Sequence, residues 1–307
     1  VIVVLDIGII IACIAGLWWG AVQVVDSATR IARRLGVSDL VIGLTVVAIG
    51  TSAPEFAVTA VAALKGQSDI SVGNVVGSNI FNLGFILGGL ALFRGVATSP
   101  RLVYRDGGDL IGTTLLLVFF LRDLAVTRLE GAILMALLVV YIAVLIVQRA
   151  EAGEPVPPGR FNRVDIPRFL VGIVVIVGAG HFFVEAAGSL ARLMGVSEWV
   201  IGVTIVAIGT SAPELATSLV ALHRGQHGMS AGNLVGSDLF NLLGVLGLAA
   251  VLSPMSVDPA ALSSVTVLAA MVVVVVVMMR TGWKLSRWEG ALLVAITLVR
   301  WGFDFSR

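Results

Sequence analysis

Apolar residues run in blocks of about 20 along most of the chain, and the short polar breaks between blocks carry most of the arginines. A block of that length crosses a hydrocarbon core of roughly 30 Å as an α-helix, since each helical residue rises only about 1.5 Å. Ten such spans are predicted, at about 2–30, 38–63, 70–93, 106–122, 128–148, 167–192, 197–222, 229–252, 261–280 and 285–303. The expected fold class is an all-α membrane protein of ten transmembrane helices. The first block outruns a signal peptide and lacks a basic start and a cleavage site, so it reads as a retained span.

The stretch 149–165 is the one long polar interruption, and Pro155, Pro157, Pro158 and Gly159 prevent a helix there. It divides the chain into 1–148, a linker at 149–166, and 167–307, with five spans on either side. The halves are related. Residues 35–84 align without a gap with 194–243 at a constant offset of 159, with roughly 30 of 50 positions identical. Five is odd, so the second copy enters the membrane from the opposite side. That is an inverted-topology repeat, an architecture of many secondary transporters.

Arginine sets the orientation. With the amino terminus outside, the inner loops collect residues such as Arg30, Arg33, Arg34, Arg94, Arg101, Arg105, Arg149 and Arg160. The balance is about 14 basic residues inside against 6 outside, the positive-inside bias. Both termini are then outside and the linker is cytoplasmic, with the inner or plasma membrane as the expected location.

Composition agrees with a membrane protein: 58% hydrophobic, 13% charged, mean hydropathy +1.04, where soluble domains carry about 25% charged residues. A net charge of +1 offers no bulk field for nucleic acid, which is not an expected partner. The single cysteine, Cys13, cannot form an internal disulfide and reads as a small lipid- or helix-facing residue.

The candidate chemistry lies in a repeated octapeptide, Ala48-Ile49-Gly50-Thr51-Ser52-Ala53-Pro54-Glu55 and Ala207-Ile208-Gly209-Thr210-Ser211-Ala212-Pro213-Glu214. A carboxylate inside an apolar span costs roughly 3 kcal/mol on insertion scales, so two of them mark a site. Pro54 predicts a break in span two, because the Gly50 carbonyl loses its helical donor. Broken backbone at that depth is tolerated only where it lines a protected cavity. Thr51 and Ser52 are four and three residues before Glu55, which puts hydroxyls and carboxylate on one helical face. Spans three and eight supply the facing walls, loosened at Gly73-Asn74 and Gly77-Ser78 and at Gly232-Asn233 and Gly236-Ser237. There Ser78 with Asn82, and Ser237 with Asn241, again share a face.

This donor set contains only oxygen: two carboxylates, six hydroxyls, two amides and freed carbonyls. Hard cations favour it, as Ca²⁺ takes about 6–8 oxygens at roughly 2.3–2.6 Å; zinc and copper favour Cys and His. Two glutamates brought together in low dielectric repel unless cations or protons neutralise them. One Ca²⁺ or several Na⁺ would do so, and a site that must be filled by competing occupants is the physical basis of an exchanger.

Other polar residues read more plainly. Asn74 and Asn233 suit helix breaking or helix packing over cation binding. Asp26 and Glu185, related by the same offset, suit interfacial packing over cation binding. His181 reads as hydrogen-bonded, and His223 and His227 as solvated loop residues. Asp238 stands where the first copy has Asn79, about 100° round the helix from Ser237; the spacing leaves open whether it lines or flanks the cavity.

At these residues the chain resembles the cation/calcium exchanger superfamily, specifically its prokaryotic sodium/calcium exchanger branch. The matching motifs are Gly50 to Glu55 with Gly73 to Asn82, and their second copies from Gly209 and Gly232. The resemblance implies an antiporter of Na⁺ and Ca²⁺ working by alternating access and exporting Ca²⁺, with broken helices 2, 3, 7 and 8 as its core. It implies that Glu55 and Glu214, with the Thr51 and Thr210 carbonyls, hold Ca²⁺. Sodium would use Ala48, Ser52 and Ser78, and Ala207, Ser211 and Ser237, besides the shared glutamates and threonines. Spans one and six would slide across the core, helped by Gly16, Gly20, Ala21, Gly178, Ala179 and Gly180.

One departure stands out: some members carry an acid at the Asn241 position, so the expected core holds two formal charges. The expected substrates are Ca²⁺ and Na⁺, with no cofactor, the lipid bilayer as surroundings, and a monomer as the functional unit. The alternatives are an antiporter of H⁺ and Ca²⁺ or another divalent cation, in which the glutamates take protons, and a cation channel. An intramembrane enzyme would need a nucleophile–base pair, which these motifs lack.

Overall fold

The computed structural model describes residues 2–148, 162–193 and 207–305. The start of span seven and most of the predicted linker, with its prolines, lie outside the described residues. Among the described residues ten helical spans follow one another, and the apolar side chains on their outer faces, such as Val4, Leu5, Ile11, Val139, Val147 and Val174, are exposed as a lipid-facing surface requires.

Span one is an unbroken helix, Ile2–Leu35, five residues longer than its apolar block. Just ahead of this extension Arg30 Nε donates to Asp165 Oδ1 at 2.7 Å, at the first turn of span six, Asp165–Leu193. The two helices pack along one another through glycine. A Cβ on Gly20 would sit 3.0 Å from the Gly172 carbonyl, and one on Gly172 would sit 2.9 Å from the Gly20 carbonyl. Gly16 and Ala179 approach in the same seam, whereas Gly178 faces nothing within 4 Å. Cys13 is buried in this helix.

Spans two and seven each break at a serine. Span two runs as a short helix and a π-helical stretch, Gly43–Val47, into Ala48–Thr51. It then bends by 50° before Ala53–Leu64. Span seven repeats the break between Ala207–Thr210 and Ala212–His223. Ser52 (φ −80°, ψ 11°) and Ser211 (φ −89°, ψ 7°) take the non-helical geometry. The break therefore falls ahead of Pro54 and Pro213, not at them. Each proline sits in the first turn of the following helix, where its missing N–H leaves nothing unpaired.

Spans three and eight stay continuous, over Ser68–Arg94 and His227–Leu252. The expected loosening at Gly73–Ser78 is absent, and the α-helix runs regularly from Ser68 to Ile80. The interruption comes later, as π-helical stretches at Phe81–Leu87 and Phe240–Val245, a feature common at functional sites. Glycine at 236 lets span eight press against the π-helical part of span two: a Cβ there would meet the Leu44 carbonyl oxygen at 2.6 Å.

Span four begins earlier than its apolar block, at Leu102. Span five is Arg128–Gln148, span nine Pro259–Arg280 and span ten Arg287–Phe305. Four two-residue strands clip the loops together. β1 (Val96–Ala97) pairs antiparallel with β4 (Lys284–Leu285), and β2 (Ala125–Val126) with β3 (Met255–Ser256). The offset of 159 relates β1 to β3 and β2 to β4, so each clip joins one repeat to the other. Leu124 and Trp283, related by the same offset, share a left-handed backbone at φ 61° and 54°. The internal symmetry thus extends well beyond the aligned motifs.

Candidate cation site

The two serine breaks meet at the centre of the bundle and exchange partners. Ser52 Oγ donates to Glu214 Oε1 at 3.0 Å, and Ser211 Oγ donates to Glu55 Oε1 at 3.1 Å. Neither serine bonds the glutamate of its own helix, as a regular helix would have allowed, because the break turns it toward the opposite repeat. Ser237 Oγ adds a third contact, 3.3 Å from Glu214 Oε1. Glu55 and Glu214 are both fully buried.

Each carboxylate keeps one oxygen without a partner, Glu55 Oε2 and Glu214 Oε2. Their ion-pair partners are not found among the described residues, where Arg30, Arg105, His181 and Arg224 pair elsewhere. Two buried carboxylates without a basic partner carry, when ionised, a charge that the described residues do not neutralise. Cations or protons are the species that can neutralise such a pair.

The surrounding positions offer further oxygens. Thr51 Oγ1 donates to the Ala48 carbonyl at 3.2 Å and also reaches Asn233 Oδ1 at 3.2 Å. Ala48, Thr51, Ser52, Ser78, Ser237, Asn82, Asn241, Thr210 and Ser211 are all buried, and Ala207 opens the short helix ahead of Ser211. Asn82 Oδ1 and Asn241 Oδ1 are further buried oxygens that accept no bond. Asn74 and Asn233 lie in unbroken α-helix, and their amides donate to the Glu55 and Glu214 backbone carbonyls at 3.3 and 3.4 Å. Each also reaches a hydroxyl on the same helix, Thr59 or Ser218.

A family model described as "Sodium/calcium exchanger protein" matches residues 5–147 and again 166–299. The chain belongs to the sodium/calcium exchanger family. As a member it is a secondary active antiporter of Na⁺ and Ca²⁺ and not an enzyme. The exchanger is 31% identical over 320 residues to the sodium/calcium exchanger MaX1 of Methanosarcina acetivorans, covering 90% of this chain and 91% of that one. It is 34% identical over 258 residues to the inner membrane protein YrbG of Escherichia coli, covering 80% and 79%. Its fold superposes on the sodium-calcium exchanger NCX_Mj soaked with 10 mM Na⁺ and 10 mM Sr²⁺, with a TM-score of 0.86, 29% identity and 97% of each chain covered.

Sequence reasoning undercounted the charge in this exchanger. Asp238 is fully buried, and Asn82 Nδ2 donates to its Oδ1 at 3.0 Å. The core therefore holds three carboxylates, not two. The signal was present in the repeat itself: the motif Gly-Ser-x-x-Phe-Asn differs in charge between its copies only at Asn79 and Asp238. Away from the centre, Asp26 pairs with Arg224 at 3.4 Å and Glu185 with His181 at 3.4 Å, both at partly or largely exposed positions. His223 lies edge-on to Trp18, and His227 Nδ1 accepts from the Ala97 backbone N–H at 3.3 Å.

Proposed function

We propose that this exchanger moves Ca²⁺ out of the cell against inflowing Na⁺, through one site that the two ions occupy in turn. In this reading Glu55 and Glu214 hold Ca²⁺ together with the Thr51 and Thr210 carbonyls. The sodium positions use Ala48, Ser52 and Ser78, and Ala207, Ser211 and Ser237, with Asn82 and Asn241 beside them. The halves 1–148 and 167–307 are the two inverted repeats, joined by a cytoplasmic linker at 149–166, with both termini outside. The protein sits in the inner membrane and works as a monomer.

The observation that carries this is the pair of buried, unpartnered oxygens, Glu55 Oε2 and Glu214 Oε2. Empty, the pair repels itself in low dielectric; filled by Ca²⁺ or Na⁺, it is neutralised. Passage between inward- and outward-facing states is then favourable only when loaded, which couples the two flows. Spans one and six, packed together through Gly20 and Gly172, form the unit that moves across the core.

The test is radiolabelled Ca²⁺ uptake into proteoliposomes loaded with Na⁺, at clamped pH. Uptake that follows the outward Na⁺ gradient is expected. Uptake that ignores Na⁺ and follows an imposed pH gradient would reassign the coupling to protons.

A further inference from the structure

The two broken spans end in matching turns that hold different partners. Lys65-Gly66-Gln67 joins spans two and three, and Arg224-Gly225-Gln226, 159 residues on, joins spans seven and eight. Their backbones agree: φ and ψ are −85° and 1° at Lys65 against −75° and −2° at Arg224, and −90° and 65° at Gln67 against −88° and 66° at Gln226. Span one lies over the second turn. Arg224 Nη2 donates to Asp26 Oδ2 at 3.4 Å, and Gln226 Nε2 to Thr29 Oγ1 at 2.6 Å. Among the described residues no such bonds hold the first turn. Lys65 and Gln67 are exposed, and Glu185, the repeat mate of Asp26, pairs with His181 of its own helix. The difference extends along the helices. Val220 of span seven is 1% exposed, in one buried cluster with Ala21, Val24 and Val25 of span one, whereas its mate Val61 of span two is 50% exposed. Two copies of nearly one sequence thus hold two arrangements, closed over span seven and open over span two.

We propose that Asp26–Arg224 and Thr29–Gln226 form a latch that holds span one on the 224–226 turn, and that Glu185–Lys65 is the opposing latch, made when span six closes over the 65–67 turn. The inference rests on the exchange reading above and adds to it the contacts that set the balance between its two states. An inverted repeat offers a second state in which each half takes the other's arrangement. In that state Val220 is uncovered and Val61 covered. Both copies carry an acid on span one or six and a base in the turn, so the opposing pair has its charges in place. Arg30–Asp165 differs in kind: it joins spans one and six to each other and does not choose between the states. The latches are unequal. The mate of Thr29 is Gly188, so the opposing latch lacks that hydroxyl, and the arrangement seen here is the better held. Exposed ion pairs are weak, which suits a contact that must break in every cycle. In the orientation proposed above, the Asp26 latch is cytoplasmic.

The experiment is alkylation of a single cysteine by a small membrane-permeant maleimide, on the purified full-length protein with Cys13→Ser as background. Val220→Cys reports the state in which span seven is uncovered. Asp26→Asn/Thr29→Val should raise its labelling rate by about fivefold or more. The reversed pair Asp26→Arg/Arg224→Asp should keep the rate within about twofold of the starting value. Lys65→Gln should act in the opposite sense and lower the rate by about twofold. Lys65 belongs to none of the ion pairs among the described residues, so a merely structural role in this arrangement predicts no change.

Three results would overturn the latch. A rate unmoved by Asp26→Asn/Thr29→Val shows that these contacts do not weigh on the balance. A reversed pair that labels as fast as the broken one shows that charge pairing is not what matters. A Lys65→Gln variant that labels no more slowly removes the opposing latch, and it decides the matter should the span-one variants fail to fold. Na⁺-driven Ca²⁺ flux by the Cys13→Ser protein is measured alongside. Flux together with a Val220→Cys site that never labels sinks the latch and leaves the exchange reading standing. Absence of flux fails the exchange reading first, and the latch falls with it.

Discussion

Ser52 of the first repeat donates its hydroxyl to Glu214 of the second, at 3.0 Å in the buried centre of the bundle. Ser211 returns the contact to Glu55 at 3.1 Å. Each carboxylate is thus oriented by the other half of the protein. Hydrogen bonds to a charged group are worth about 1.5–3 kcal/mol, enough to fix which oxygen stays free. Ser52→Ala and Ser211→Ala should each weaken Ca²⁺ binding by roughly tenfold to a hundredfold. Because the two contacts hold one pair of carboxylates, the double variant should depart from additivity by about 0.5 kcal/mol or more. Ca²⁺ titration of thermal stability reads this directly, and strictly additive losses would show that the two serines act independently.

Glu55→Gln and Glu214→Gln remove one charge each while keeping shape and hydrogen-bonding capacity. Both should abolish Na⁺-driven Ca²⁺ flux, since one remaining carboxylate cannot balance a divalent ion in low dielectric. Both should leave a folded protein, because the carboxylates are a burden to the apo fold and not a support for it. Flux in proteoliposomes and elution as a single species in detergent check the two halves of this expectation. Near-normal flux in both variants would remove the glutamates from the ion path.

Gly50 and Gly209 occupy the same position in the two repeats, and both press on span six. A Cβ on Gly50 would meet Ile173 Cδ1 at 2.6 Å, and one on Gly209 would run into Val184. These contacts lie between the ion-binding core and the helix proposed to slide across it. Gly50→Ala should slow exchange by about tenfold through a rougher sliding surface, about 1.4 kcal/mol on the barrier, while leaving the Ca²⁺ midpoint of thermal stability in place. A variant that binds less and moves ions at the old rate would contradict a gating role for this contact.

Gly236 makes a simpler packing prediction. A methyl group there lands 2.6 Å from the Leu44 carbonyl oxygen and 2.7 Å from the Leu44 Cα, both backbone atoms that cannot rotate away. Overpacking of this kind costs about 1–3 kcal/mol. Gly236→Ala should therefore lower the unfolding temperature in detergent, with or without Ca²⁺. An unchanged temperature would mean that the π-helical part of span two yields freely.

The spans and the inverted repeat were legible because the cost of exposing backbone and charge to lipid leaves so few arrangements open. The meeting of the two octapeptides was legible for the same reason, since a carboxylate in an apolar span is costly, and Glu55 and Glu214 do come together through Ser211 and Ser52. The break at Ser52 was not. Proline marks a discontinuity, but whether the chain bends before it or at it depends on which N–H groups the neighbouring helices leave unpaired. The place of Asp238 stayed open because a helical-wheel argument assumes one face of a span looks away from the cavity. In span eight every residue from Met229 to Leu239 is buried, so no such outer face exists, and a polar group 100° from Ser237 still ends among polar partners.

The last prediction concerns voltage, and it follows from charge. We propose that three Na⁺ enter for each Ca²⁺ that leaves, which carries one net positive charge inward. Each unit charge crossing the membrane is worth about 2.3 kcal/mol per 100 mV, so an inside-negative potential favours Ca²⁺ export. In proteoliposomes whose potential is clamped with a K⁺ ionophore, 100 mV should shift the Ca²⁺ gradient at which net flux vanishes by roughly 50-fold. A null point that ignores voltage would mean an electroneutral exchange of two Na⁺ for one Ca²⁺. That outcome would leave the glutamate pair intact as the shared site, but it would limit the sodium positions that turn over in each cycle to two. The direction of the shift is informative in itself, because an inside-negative potential draws Ca²⁺ inward through a channel, with no Na⁺ needed on either side, whereas it favours Ca²⁺ export by the exchanger.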